Sequence, residues 1–165
     1  MQPIYIIGFM GTGKSTVGKA LGELFELSVY DTDEEIMKQQ KMSINEIFAQ
    51  MGETGFRMIE TETLNRMPKN GIITTGGGII LKEENVKYMK ETGVVFLLHA
   101  TIEEILRRLE NDESRPLLKG SKKENAVKLY SQREPLYLKA ADFIIDTTSK
   151  SIFEIIKEIK NRLKC

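Results

Sequence analysis

The segment GFMGTGKST at positions 8–16 follows directly on an apolar run, IYII, at positions 4–7. It matches the pattern G-x-x-x-x-G-K-[ST] at a place where a strand is expected to turn into a helix. Glycines allow successive backbone N–H groups to point at phosphate oxygens, and the following helix adds its positive N-terminal end. Lys14 can reach the β- and γ-phosphates, and Ser15 can offer its hydroxyl to Mg²⁺. The segment therefore predicts a nucleoside triphosphate site rather than a glycine-rich turn that binds nothing.

The chain alternates short β-rich runs with longer segments of helical periodicity, which is typical of an α/β fold. Strands are predicted at 4–7, 28–30, 72–74, 94–98 and 143–145. Apolar residues recur at helical spacing after the first strand and near the C-terminus, at Val17, Leu21, Leu24, Phe25, Ile152, Ile155, Ile156, Ile159 and Leu163. Strands this short and apolar favour a parallel sheet with helices on both faces, a three-layer sandwich. Methionines of the helical segments are expected to fill core gaps, at Met37, Met42, Met51, Met58 and Met67.

Composition and charge fit one compact domain over residues 1–165, with 41% hydrophobic and 29% charged residues. Lys+Arg and Asp+Glu number 24 each, so no overall positive field would attract nucleic acid or an anionic membrane. The apolar run VVFLL at 94–98 is far shorter than the ~20 residues that span a bilayer. Cys165 is the single cysteine, so an internal disulfide is excluded, which suits a reducing cytoplasm. We therefore expect a cytoplasmic protein whose anion site is local.

Two pairs of charged residues are candidates for binding a second ligand. Asp31 and Asp33, in VYDTDEE, should lie at the carboxyl end of the second strand, where open α/β sheets bind ligands. Spacing alone leaves an equal alternative, a helix-capping pair. Arg57 and Glu60, in GETGFRMIE, are three residues apart and can share one helix face. A solvated surface pair is again an equal alternative.

Three further features lie later in the chain. The third strand ends in TTGGG at 74–78, and a loop with three glycines favours close approach of the backbone to an anionic ligand over simple flexibility. The polar stretch 110–125 contains proline and glycine and is predicted to be a mobile flap; it carries Arg115. Arg133 follows in REPLY, and each arginine alone would be read as a surface residue.

Taken in this order and spacing, the motifs GFMGTGKS, DTD, GETGFRMIE, TTGGG, RPLL and REPLY resemble those of shikimate kinases. The resemblance runs from position 8 to about 150. It implies a P-loop fold with five parallel strands in the order 2-3-1-4-5, an acceptor-binding segment at about 32–66 and a lid at about 110–125. It also implies MgATP-dependent phosphorylation of the 3-hydroxyl of shikimate, on the route to chorismate and the aromatic amino acids.

For ATP and Mg²⁺, the resemblance implies binding roles for residues of the phosphate loop and two arginines, Gly11, Thr12, Gly13, Lys14, Ser15, Thr16, Arg108 and Arg115. Mg²⁺ would be held by Ser15 and, through water, by Asp31. Arg115 would close on the phosphates, and Arg108 would stack beside the adenine. The segment IDTTSKS at 145–151 matches the start of the adenine loop, although Ile152 stands where the family often has proline.

For the acceptor, the resemblance implies binding by two arginines, two carboxylates and the triple-glycine loop, at Asp33, Arg57, Glu60, Gly77, Gly78 and Arg133. Arg57 and Arg133 would clamp the shikimate carboxylate, and Glu60 would orient the arginines. Asp33 would hydrogen-bond to the hydroxyls and take the reacting proton. The expected catalytic residues are Asp33, Lys14 and Arg115. Shikimate and ATP are the expected partners, and the protein is expected to be a monomer.

Two other functions remain open from the sequence. A gluconate kinase has a related fold and also phosphorylates a hydroxy acid, although GFRxxE and TTGGG favour shikimate. A nucleotide-binding module without catalysis would have no reason to hold Asp33, Arg57, Arg115 and Arg133 together. His99, the only histidine, is expected to be a strand-end residue rather than a catalytic base.

Overall fold

The computed structural model describes residues 1–110 and 122–164. Its elements in chain order are β1 (Ile4–Ile7), α1 (Lys14–Phe25), β2 (Val29–Asp31), α2 (Thr32–Gln40), α3 (Ile44–Arg66), β3 (Ile72–Thr74), a 3₁₀ turn (Ile79–Leu81), α4 (Glu83–Thr92), β4 (Val94–His99), α5 (Ile102–Leu109), α6 (Lys122–Ala140), β5 (Phe143–Asp146) and α7 (Ile152–Leu163). Helices and strands alternate as the sequence pattern predicts.

The five strands of the described chain form one parallel sheet in the order β2-β3-β1-β4-β5, which confirms the predicted topology. Strands β1 and β3 have the predicted bounds. The second strand begins one residue later than predicted and includes Asp31, because Asp31 pairs with Thr74 in the ladder. Strands β4 and β5 each run one residue further than predicted, since His99 pairs with Asp146.

The three inner strands, β1, β3 and β4, alternate side chains between two buried faces, whereas the edge strands β2 and β5 are partly exposed. On one face, Tyr5 and Ile7 join side chains of α4, α5 and α6. On the other, Ile4 and Ile6 pack with α1 and α7. Two covered faces make the three-layer sandwich that the sequence predicts. A smaller cluster of Ile36, Ile47 and Phe56 joins α2 to α3.

The predicted apolar face of α1 is buried at Val17 and Leu21, but Leu24 is 40% exposed. Gly18 lies on the buried face, close to the sheet. A Cβ at this position would lie 2.5 Å from Cγ2 of Thr74. Glycine therefore allows the helix to lie closer to β3 than any other residue would.

The helical segment α3 is interrupted at Gly52, whose φ of 69° is not helical. Because the helix direction changes there, one apolar stripe does not continue along the whole element. Met51 and Met58, predicted as core residues, are 43% and 57% exposed. The prediction is therefore wrong for these two methionines, whereas Met67 is buried.

His99 lies at the end of β4, as predicted, and contacts two side chains of α6. Its Nε2 lies 3.0 Å from Oε2 of Glu134 and 3.0 Å from the hydroxyl of Tyr130. The Tyr130 hydroxyl also donates to the carbonyl of Ala100 at 2.9 Å. These contacts attach the middle of α6 to the end of β4.

Within the described residues, no helix is both long and apolar enough to cross a membrane.

We predict that Gly18→Ala destabilises the protein, although alanine favours an isolated helix by about 1 kcal/mol. The added methyl group would overlap the Thr74 side chain, and overpacking of this kind costs about 1–3 kcal/mol. Urea unfolding would measure the loss. Lys19→Ala, at the next and exposed position of the same helix, is the control and should leave stability nearly unchanged. A Gly18→Ala protein more stable than the parent would contradict the close approach.

Candidate active site

The phosphate-loop motif connects β1 to α1, in the predicted strand-to-helix context. Gly13 precedes the helix with a φ of 89°, and as a glycine it offers no side chain to cap the first N–H groups. Lys14 Nζ donates to the carbonyl of Gly8 at 2.7 Å and to that of Phe9 at 3.1 Å. Thr12 folds inward and donates to the same Phe9 carbonyl at 2.7 Å. The loop thus presents a helix N-terminus and a lysine ammonium on the same side of the sheet edge.

Asp31 caps α2, so the capping alternative is correct for this residue. Its Oδ1 accepts from the N–H groups of Asp33 at 2.9 Å and Glu34 at 3.1 Å. Its Oδ2 accepts from the Thr74 hydroxyl at 2.6 Å. Both carboxylate oxygens are therefore fixed by this chain, at the carboxyl ends of β2 and β3.

Arg57 and Glu60 form an ion pair that is largely buried, so the solvated-pair alternative is wrong. Arg57 Nη1 donates to Oε1 of Glu60 at 2.8 Å, and the Glu60 side chain is 0% exposed. The more exposed Glu53 lies 3.6 Å from Nη2 of the same arginine. The Arg57 guanidinium also lies 5.1 Å from the Phe56 ring centre, and Phe56 stacks on Phe48. Aromatic and acidic neighbours thus hold Arg57 in one orientation.

Burial raises the pKa of Glu60 above its ordinary value, and this effect exceeds the lowering by the nearby Arg57 guanidinium. Asp33 and Arg133 also influence Glu60, with opposite signs. These four groups are therefore close enough to form one electrostatic unit.

Three of the predicted acceptor residues meet at the triple-glycine loop, residues 76–78. A Cβ at Gly76 would lie 2.6 Å from Oδ1 of Asp33, and one at Gly77 would lie 3.4 Å from Nη1 of Arg133. A Cβ at Gly78 would overlap the Arg57 guanidinium. The loop therefore needs glycines because charged side chains pack against its backbone.

The same loop lies beside the phosphate loop. A Cβ at Gly77 would lie 3.9 Å from the carbonyl oxygen of Gly8, which accepts from Lys14. Arg133 is only 6% exposed and comes from α6, which lies much later in the sequence than α2 and α3. Among the described residues, Nε of Arg57 and Nε of Arg133 are buried and make no hydrogen bond. An anionic ligand at loop 76–78 would give such donors a partner.

A cleft of about 370 Å³ lies beside the phosphate loop, between α5 and the segment after β5. Arg108 crosses it: Nη1 donates to the Gly11 carbonyl at 3.1 Å, and Nη2 donates to the Thr147 carbonyl at 3.1 Å. Hydrogen bonds from Arg107 and then Arg108 lower the pKa of Glu104 to about 2, so this carboxylate stays charged. Ile152 lines the same cleft, at the position where the family often has proline.

Three residues that support these sites were not predicted from the sequence as site residues. Thr32 and Thr74 bind the backbone of Gly76 and the carboxylate of Asp31, and Tyr137 binds the backbone of Gly77. Tyr137 ends the REPLY motif, four residues after Arg133, so the motif and the helical spacing were the available signals. Arg115 and most of the predicted lid at 110–125 lie outside the described residues.

A sequence model of the family described as "Shikimate kinase" matches residues 10–164. The chain belongs to the shikimate kinase family. A shikimate kinase from Caldicellulosiruptor bescii is 45% identical over 89% of this chain and 87% of its own length. One from Bacillus cereus strain G9842 is 44% identical over 99% of both chains.

Solved structures of shikimate kinases have the same fold. The enzyme from Acinetobacter baumannii in complex with shikimate superposes with a TM-score of 0.92 at 34% identity, covering 99% of this chain and 93% of the other. The Aquifex aeolicus enzyme gives 0.85 at 38% identity, covering 98% and 96%. This shikimate kinase family member is therefore an ATP-dependent kinase that transfers phosphate to shikimate, with Mg²⁺.

The residues of the phosphate loop fit a magnesium ion that arrives with ATP. In the described part of the chain, no three acidic, histidine or cysteine side chains cluster to hold a metal. Mg²⁺ in such kinases is bound by few protein groups, with water and phosphate oxygens as the remaining ligands. Ser15 is exposed at the start of α1, and Asp31 already accepts three hydrogen bonds, so a water-mediated contact suits its carboxylate.

We predict a pH dependence of stability that comes from Glu60. Because its pKa is higher in the folded protein than in the unfolded chain, the folded state binds more protons as the group titrates. The free energy of unfolding should therefore fall as pH rises from about 4, the ordinary glutamate value, through the folded pKa. Glu60→Gln removes this titrating group. The variant therefore serves as the control for the pH dependence that comes from all other groups. Urea unfolding of both proteins from acid to neutral pH should show that the free energy of unfolding of the parent falls relative to that of the variant. A rise relative to the variant would mean that Arg57 lowers the pKa of Glu60 by more than burial raises it.

Proposed function

We propose that the acceptor binds between Arg57, Arg133 and loop 76–78, and that Asp33 directs its 3-hydroxyl towards ATP held by the phosphate loop. The products are shikimate 3-phosphate and ADP. The observation that supports this arrangement is the packing of Asp33, Arg57 and Arg133 against one loop that also adjoins Gly8. The whole assembly is proposed as a single kinase domain, with an acceptor segment at about 32–66 and a lid at about 110–125.

At the acid end of shikimate, two arginines offer forked donors that suit a carboxylate. Arg57 approaches from α3 and Arg133 from α6, so the carboxylate would be held from two sides. Backbone N–H groups of Gly77 and Gly78 are proposed as further donors. Glu60 holds Arg57 in place, and its own burial prevents water from competing for the guanidinium.

At the hydroxyl end, Asp33 is proposed to accept hydrogen bonds and take the proton of the reacting 3-hydroxyl. Phosphoryl transfer depends mainly on positioning and on stabilising charge on the transferred group. Lys14 supplies positive charge beside the loop, and Arg115 is proposed to supply more from the lid. Bound Mg²⁺ neutralises phosphate charge, with Ser15 and Asp31 as its proposed protein contacts. Closure of the lid would exclude water that would otherwise hydrolyse ATP.

On the nucleotide side, the phosphates are proposed to bind the backbone and hydroxyls of the motif at Gly11, Thr12, Gly13, Lys14, Ser15 and Thr16. Arg108 would pack beside the adenine, because it lies in the cleft between the phosphate loop and Thr147.

We also propose that the protein acts as a monomer in the cytoplasm. Light scattering should then give a mass near 18.8 kDa.

The decisive experiment incubates the purified protein with MgATP and shikimate, follows ADP release and identifies the product by mass spectrometry. Shikimate 3-phosphate is the expected product. Gluconate in place of shikimate is the control, since a gluconate kinase would reverse the preference. ATP binding without turnover of shikimate would overturn the proposal in favour of a non-catalytic nucleotide-binding module.

We predict that Asp33→Asn abolishes nearly all phosphoryl transfer while ATP still binds. Asparagine has almost the same shape but cannot take the hydroxyl proton, whereas the phosphate loop is untouched. Turnover and nucleotide affinity should be measured separately. Glu34→Gln, at the adjacent and exposed position of α2, is the matched control and should keep its activity. Retention of the parent rate by Asp33→Asn would remove Asp33 from the reaction.

We predict that Arg57→Ala weakens binding of the acceptor by about 1.5–3 kcal/mol, the range for a hydrogen bond to a charged group. The KM for shikimate should rise roughly 10- to 100-fold, and the KM for ATP should change little. Arg66→Ala, on the exposed end of the same helix, controls for loss of an arginine from α3. An unaltered KM for shikimate would argue against the carboxylate clamp.

A further inference from the structure

Tyr137 lies one helical turn after Arg133 on α6, and both side chains reach loop 76–78. A Cβ at Gly77 would lie 3.5 Å from the Tyr137 hydroxyl, almost as close as to Arg133. Residues four apart on a helix share one face, so a single face of α6 delivers both groups to the loop. Tyr137 is 2% exposed, which is more buried than Arg133 itself.

The Tyr137 hydroxyl donates to the carbonyl oxygen of Gly77 at 2.5 Å. Burial raises the pKa of this hydroxyl to about 12, so it keeps its proton and remains a donor at neutral pH. The carbonyl of Gly77 is thus held on the α6 side of the loop.

This contact determines the direction of an amide that faces the opposite side. In a trans peptide the C=O and the following N–H point in opposite directions. With the Gly77 carbonyl directed at α6, the N–H of Gly78 points away from α6. Arg57 packs against Gly78, so this N–H belongs to the part of the loop that lies beside the proposed carboxylate clamp.

We infer that Tyr137 is a positioning residue for the acceptor: its hydroxyl fixes the peptide between Gly77 and Gly78 so that the Gly78 N–H donates to the shikimate carboxylate. Without this anchor, the peptide would be less restrained, since neither flanking glycine has a Cβ. The Gly76 and Gly78 carbonyls would still accept from the N–H groups of Ile79 and Leu81. The inference rests on the proposed function and adds a residue that does not itself touch the acceptor.

The test compares Tyr137→Phe with Tyr130→Phe. Both variants lose one hydroxyl donor from the buried side of α6, but Tyr130 donates to Ala100, away from loop 76–78. For Tyr137→Phe we expect the KM for shikimate to rise roughly tenfold, as for one hydrogen bond to a charged group, with kcat and the KM for ATP nearly unchanged. Tyr130→Phe should keep the parent KM for shikimate, and thermal unfolding should show that both variants remain folded.

Two further readouts separate positioning from general support of α6. Addition of shikimate should shift the Gly78 amide resonance in ¹H–¹⁵N spectra of the parent, and this shift should be reduced in Tyr137→Phe. With the methyl ester of shikimate, which lacks the carboxylate charge, the roughly tenfold penalty of the substitution should largely disappear.

A parent KM for shikimate in Tyr137→Phe, an equal rise in Tyr130→Phe, or an undiminished shift of the Gly78 amide would overturn the inference. Failure of the proposed function would look different, because the parent protein itself would then not phosphorylate shikimate. That result would overturn the acceptor assignment and this inference together.

Discussion

The proposed acceptor site depends on charged side chains packed directly against glycine backbone. Arg57 and Arg133 are both largely buried, and removing such groups from water is costly unless they are paired. Glu60 forms an ion pair with Arg57. Because loop 76–78 has no Cβ atoms, both guanidinium groups and Asp33 can pack against its backbone. A single bulky residue in the loop would separate these groups. The glycines are therefore a steric requirement of the charge arrangement.

Sheet topology explains why residues distant in the chain meet there. In the order β2-β3-β1-β4-β5, the strands that precede Asp33, the triple-glycine loop and the phosphate loop are three consecutive neighbours. Because all are parallel, their carboxyl ends lie at one edge, and that edge is where open α/β sheets bind ligands. Arg133 and Tyr137 arrive from α6 instead, and the His99, Glu134 and Tyr130 contacts attach that helix to β4.

Sequence reasoning predicted the fold well because strand alternation, the glycine-lysine loop and the family motifs all indicated the same topology. It could not decide between capping and ligand binding for Asp31, since one carboxylate at a strand end satisfies both patterns. Nor could it show that Glu60 is buried, because i,i+3 spacing defines a helix face but not what covers it. Tyr137 was missed for the same reason, and Met58 was placed wrongly because Gly52 interrupts α3.

In the proposed acceptor site, the charges would also account for the choice of acceptor. Two arginines and two carboxylates, Asp33 and Glu60, are formally balanced around loop 76–78. A monocarboxylate can take the arginine donors at one end and leave neutral hydroxyls for Asp33. A phosphate dianion reaching Asp33 would instead meet a like charge, which at 4 Å and an effective dielectric of 20 costs on the order of 4 kcal/mol. With Asp33 in the proposed role, the same scaffold that binds ATP would therefore disfavour a nucleotide as acceptor.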